Sequence, residues 1–172
     1  MDGVTRDRSD VPKVDPDATR GREVVAQRSE RTRVWERSDG LLEAELSTDP
    51  VAFRAWDQSM RLIDPSVHVS PDRPGWLVTG ANSWSASFGP SDAGVSVTLP
   101  SGRSFSSRPA AFDGTAPARV VAPVRDRDDE SVVWYRQVWP GVDLRYTVTA
   151  SQLKEDVVLT NRPVGPGAVT FE

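Results

Sequence analysis

Between Val142 and Leu159 the side chains alternate with a period of two, and this stretch constrains the fold more than any other. Val142, Leu144, Tyr146 and Val148 point one way, while Asp143, Arg145, Thr147 and Thr149 point the other, as in a strand with one buried face. Leu153, Val157 and Leu159 follow after a short gap and need the same face. Because a slip of one residue would turn every apolar side chain outward, the register is fixed: Val148 opposite Leu153, Leu144 opposite Val157, Val142 opposite Leu159. It places Arg145 opposite Asp156 on the outer face. It also carries Glu155 to the apolar face opposite Tyr146, where an unpaired carboxylate is costly to bury.

The rest of the chain reads as more of the same. Ser38-Asp39-Gly40 is a turn between Val34-Trp35 and the alternating Leu42, Ala44 and Leu46. Thr48-Asp49-Pro50 leads into Val51, Phe53 and Ala55, and Trp56-Asp57-Gln58-Ser59 turns toward Leu62-Ile63. Asp64 to Gly75 reads as a looser stretch, with a strand from Trp76-Leu77-Val78. Trp84, Ala86 and Phe88 share one parity, as do Val95, Val97 and Leu99, which Pro100-Ser101-Gly102 closes into another hairpin. Pro109 to Pro117 reads as a long loop, Arg119-Val120-Val121 as a short apolar run, and Val169-Thr170-Phe171 as a further strand. The expected fold is an all-β antiparallel sandwich of short strands over 31–172, cut short at its C-terminal end. Residues 1–30, rich in Arg, Asp, Pro and Ser, are expected to be a disordered charged tail, a short helix within Glu23–Arg33 being the lesser alternative.

Composition fits this. In 172 residues there are 14 Pro, 12 Gly and 27% charged residues against 37% hydrophobic, a balance that favours many turns around a modest core. A net charge of −4 provides no broad cationic field for a phosphate backbone, so nucleic acid is not an expected partner. No stretch approaches membrane-spanning length, and the N-terminus has no apolar run of the signal-peptide kind, so a targeting segment is expected upstream if the protein is exported. With no Cys, disulfides, thiolate zinc sites and a cysteine nucleophile are excluded.

Certain residues then become recognisable. Glu30-Arg31-Thr32-Arg33-Val34-Trp35, Asp39-Gly40, Ser47-Thr48-Asp49-Pro50-Val51 and Leu62-Ile63-Asp64 resemble the opening domain of large secreted bacterial proteins of the wall-associated, Rhs (YD-repeat) and DNRLRE-domain kinds. The run Trp134-Tyr135-Arg136-Gln137-Val138-Trp139-Pro140-Gly141-Val142-Asp143-Leu144-Arg145-Tyr146 is similar to their Y-x-x-V-x-P-G-V-D-L-x-Y signature, and Leu153-Lys154-Glu155-Asp156-Val157-Val158-Leu159 to the segment after it. The chain departs from the pattern at Gln58, where a glycine is usual, so a distorted hairpin is expected there. The resemblance implies an N-terminal structural module, extracellular or at the cell wall, with a signal peptide upstream and repeats or a toxin domain downstream. Its implied partners are those distal domains and cell-wall polysaccharide, and it implies no catalytic residues and no cofactor.

The candidate chemistry is thin. His68 is the only histidine, in a Pro-bracketed stretch with no G-x-S-x-G serine, and reads as an exposed loop residue. Glycoside hydrolysis needs two carboxylates facing one cleft, but Asp143 and Asp156 have the opposite parity to Glu155. Glu155 is expected to hydrogen-bond Tyr146 or an Arg. Asp126, Asp128, Asp129 and Glu130 form an acidic loop without the calcium-loop pattern. Six Trp leave sugar stacking as the alternative function, with Trp35, Trp56 and Trp139 beside turns as contact candidates.

Overall fold

The computed structural model describes residues 20–162 and 165–172, and the chain is all-β. Two antiparallel sheets form the sandwich. One contains β6 (Val67–Val69), β7 (Leu77–Thr79), β8 (Ser85–Phe88), β9 (Val95–Thr98) and β10 (Ser104–Ser107), in that order across the sheet. The other contains β12 (Val124–Arg125), β13 (Val132–Trp139), β14 (Val142–Val148) and β15 (Leu153–Leu159). The β14–β15 register is the one the alternation demands, from Val142 opposite Leu159 to Val148 opposite Leu153.

Side chains of matching parity fill the space between the sheets. Val67, Phe88, Val133, Val138, Leu144 and Val148 are buried, each contributing about 1.5–3 kcal/mol of transfer free energy. The Tyr146 ring meets Phe88 and Tyr135 edge-on, with centroids 5.8 and 5.7 Å apart. Cross-links join the sheets at one end: Asn82 Nδ2 and Trp84 Nε1 donate to the carbonyls of Thr149 and Ala150.

Three segments differ from the sequence expectation. Residues 1–19 of the expected tail lie outside the described residues, but residues 20–30 are ordered. β1 (Arg22–Glu23) pairs with β2 (Thr32–Glu36), which pairs with β3 (Leu42–Leu46), and a 3-10 turn at Val25–Gln27 stands where the short helix was the alternative. Hydrophobic burial does not explain this order, whereas ion pairing does. The Glu23 carboxylate accepts from Arg28 (Nε 2.9 Å, Nη2 2.8 Å) and from Arg33 at 3.2 Å, all three being largely buried. Arg28 also donates to the Met60 carbonyl, and the Arg20 and Arg33 guanidiniums lie 4.7 Å from the Trp35 ring. The stretch from Asp64 to Gly75 contains β6, and the Pro109–Pro117 loop contains β11 (Pro109–Phe112), paired with β16 (Val169–Phe171). Pro109 is tolerated because it occupies a strand's first position. Arg119–Val121 forms no strand.

The hairpin of β4 (Ala52–Arg54) and β5 (Met60–Leu62) is regular in register rather than distorted. Gln58 takes the left-handed backbone conformation, φ 65°, that a glycine would adopt without a Cβ penalty. Gln58→Gly is therefore expected to raise unfolding stability by about 1 kcal/mol, read as a higher denaturant midpoint at unchanged slope.

Hydrogen bonding by Arg28, aided by Arg33 and opposed by burial, lowers the Glu23 pKa from 4.5 to about 2. A depressed carboxylate adds stability that is complete above the unfolded value and lost as pH falls through the folded one. Protonating Glu23 between pH 4.5 and 2 should thus cost about 2–3 kcal/mol, and Glu23→Gln should remove this acid-side slope in pH-dependent unfolding.

Candidate functional site

The motif-bearing hairpin from Trp134 to Leu159 is the place to look for chemistry, since it holds most of the distinctive polar residues. Trp139-Pro140-Gly141-Val142 is its first turn, with Gly141 at φ 77° and Trp139 paired with Val142. Before this turn β13 bulges, the register shifting between Tyr135 and Trp139. Gln137 stands at the bulge with a positive φ of 55°. Asp143, 5% exposed, holds it there: Oδ1 accepts the Gln137 backbone N–H at 2.7 Å, and Oδ2 accepts Arg136 Nη1 at 2.8 Å. Burial alone would raise the Asp143 pKa. The Arg136 and Gln137 hydrogen bonds more than offset it, so the carboxylate sits below its usual range.

Next to this pair, the outer face of the sheet is closed by charge. Trp134 donates its Nε1–H to Asp126 Oδ2 at 2.7 Å, and the Arg136 guanidinium covers its ring at 3.5 Å. Arg145, opposite Trp134, donates to Asp156 Oδ2, and Lys154 pairs with Asp156 Oδ1 at 2.9 Å. Hydrogen bonding from Lys154 and then Arg145 lowers the Asp156 pKa. Sequence parity pointed to the Arg145–Asp156 pair. The covering of Trp134 by Arg136 was missed: parity sets the two side by side on the outer face but does not say that the guanidinium lies over the ring.

On the inner face Tyr146 donates its hydroxyl to Glu155 Oε1, as the register predicts. Burial raises the Glu155 pKa, and the Tyr146 bond opposes it. Burial, followed by the Glu155 interaction, drives the Tyr146 phenol far above its ordinary value, so it remains a donor. Asp143 and Asp156 lie on the opposite face of the same sheet, so neither flanks a common cleft with Glu155.

The remaining candidates are dispersed. His68 lies on β6 rather than in a loop, exposed, with Nε2 2.8 Å from Ser66 Oγ and 3.4 Å from Asp64 Oδ2. In the acidic loop Asp126 accepts the N–H groups of Asp128 and Asp129, and Asp129 accepts from Ser131, so these carboxylates build the turn. No cluster of three or more metal-ligating side chains occurs among the described residues. Of the three Trp proposed as contacts, Trp35 is buried under its two Arg. Trp139 is buried too, its Nε1–H on the Thr115 carbonyl and its ring against Phe112. Trp56, 89% exposed on the β4–β5 turn, alone offers its ring to solvent. Trp84 is buried and Trp76 half-buried beneath Arg73, so the three proposed rings form no exposed row.

No family model, curated protein or solved structure matches the chain.

Removing the Asp143 carboxylate leaves a buried N–H and a guanidinium without their acceptor. Asp143→Ala is expected to lower stability by about 3 kcal/mol, and Asp143→Asn by about half as much, in equilibrium denaturation.

Proposed function

We propose that the chain is a non-catalytic structural module from the N-terminal part of a secreted wall-associated or Rhs-type protein, acting as scaffold or spacer for distal domains. The observation that carries this reading is the use made of the motif's polar residues. Asp143 is spent on the β13 bulge and Gly141 on the turn, while Arg145 and Glu155 bond to residues of the sheet itself. A signature whose charged groups satisfy one another favours a fold requirement over a reaction. The resemblance supplies the extracellular or wall location.

One observation favours a second reading, a carbohydrate or cell-wall binding module: the exposed Trp56 ring. Two measurements separate them. The reading frame around the coding segment should contain an export signal upstream and repeats or a further domain downstream, and a frame with neither would overturn the scaffold reading. The purified chain should pass through a column of wall polysaccharide without retardation. Retardation abolished by Trp56→Ala would instead establish the binding module.

A further inference from the structure

The sandwich is closed along one side and open along the other. On the closed side β6 meets the β12 sheet: the Val67 N–H donates to the Glu130 carbonyl, and Arg125 Nη1 donates to the Val67 carbonyl. On the open side the sheets end in β10 and β15, neither of which has a further strand beside it among the described residues. Apolar residues of inner-face parity emerge at those edges, with Phe105 57%, Val157 39% and Leu159 41% exposed. Phe105 pairs with the buried Val97, so it belongs to the core face and lacks cover.

The backbone shows what fits there. The Leu99 N–H donates to the Arg103 carbonyl, so Arg103, Phe105 and Ser107 turn their peptide groups toward β9. Ser104 and Ser106 therefore turn theirs outward, to the free edge. Arg108 has the same parity, and its N–H and carbonyl are both bonded to Glu172, at 2.8 and 3.1 Å. Arg108, Ser106 and Ser104 thus form one row of donors and acceptors, and the strand that β16 belongs to has taken the first position.

We propose that β10 and the open mouth of the sandwich receive an extended segment joined directly to Glu172, laid antiparallel on β10 in the row that Glu172 begins. This rests on the reading that the module is attached to further polypeptide, and it adds where and how that attachment starts. The side-chain pattern follows from the register. Phe171 packs against the core and Glu172 points out to Arg108, so the first and third joined residues face inward, opposite Ser107 and Phe105. These two positions take apolar side chains. The second and fourth take polar ones and bond Ser106 and Ser104. The addition lengthens a ladder and covers Phe105 in one step, and it removes a free edge that is open to pairing with other chains.

The test extends the whole chain after Glu172 by a Val-Ser-Val-Thr segment and compares it with Ser-Val-Thr-Val, which has the same composition and the opposite parity. Amide hydrogen exchange of Ser104 and Ser106 is the readout. The matched extension should slow both amides by about tenfold or more and raise Tm, and the opposite-parity extension should do neither. Equal exchange in both extended chains and the parent would overturn the proposal. Equal slowing by the free tetrapeptide at equimolar concentration would assign the edge to a separate chain, and concentration-dependent slowing in the parent would assign it to a second copy, either result overturning it. Because the segment is supplied, this outcome does not depend on what the natural reading frame contains.

Discussion

A single carboxylate sets the geometry on which the rest of the sandwich depends. Asp143 is a buried charge in the middle strand of the hairpin pair, and in isolation its burial would cost several kcal/mol. It is offset by two donors that a regular strand would not present together, the Gln137 N–H and the Arg136 guanidinium. The bulge they stabilise sets Arg136, Gln137 and Val138 against Asp143 alone, two residues more than a regular ladder, and within it Val138 enters the core beside Tyr135 and Trp139. Trp139 then stacks on Phe112 and bonds Thr115, which anchors β11, and β11 holds β16. The position of Glu172 beside Arg108 is therefore the far end of a chain of contacts that starts at Asp143.

Arginine carries a share of the stability that hydrophobic residues carry in richer cores. Trp35, Trp76 and Trp134 each have at least one guanidinium near the ring, at 3.5 to 5.0 Å. Arg28 and Arg33 in addition share the Glu23 carboxylate. Such contacts combine cation–π attraction with coverage by the aliphatic stem, excluding water from an indole without another apolar residue. This accounts for an ordered segment at residues 20–30, where composition pointed to a tail. Counting apolar residues measures only the hydrophobic part of the gain from ordering, and here the larger part comes from paired charge around Trp35.

What was legible in the sequence was whatever depended on parity. The β14–β15 register, the Arg145–Asp156 pair and the approach of Glu155 to Tyr146 all follow from period-two alternation with one buried face. Parity alone does not decide burial: Leu42, Ala44 and Leu46 alternate as cleanly, yet Leu42 and Leu46 are 57% and 81% exposed, while Val34, opposite Ala44 on the same face, is buried. Bulges break parity, and so the burial of both Val138 and its neighbour Trp139 was hidden. β11 was hidden for a different reason. Ala110 and Ala111 have little strand preference of their own, and their pairing depends on β16, almost sixty residues further along the chain.

The two uses of free strand edges in this fold make a physical contrast. β3 is an edge on which Glu43 and Glu45 stand between Leu42, Ala44 and Leu46, and its charges discourage pairing with another strand. β10 has no such protection: Ser104, Phe105, Ser106 and Ser107 are uncharged, and the one large side chain among them points toward the core face with more than half its surface uncovered. An edge left neutral and flat, in line with a strand that already pairs at Arg108, has the properties of a site for strand addition. The same sheet protects its other edge by packing β6 against β12. The asymmetry between its two edges is therefore a directional property of the fold, and the side where Glu172 lies is the one left open to strand addition.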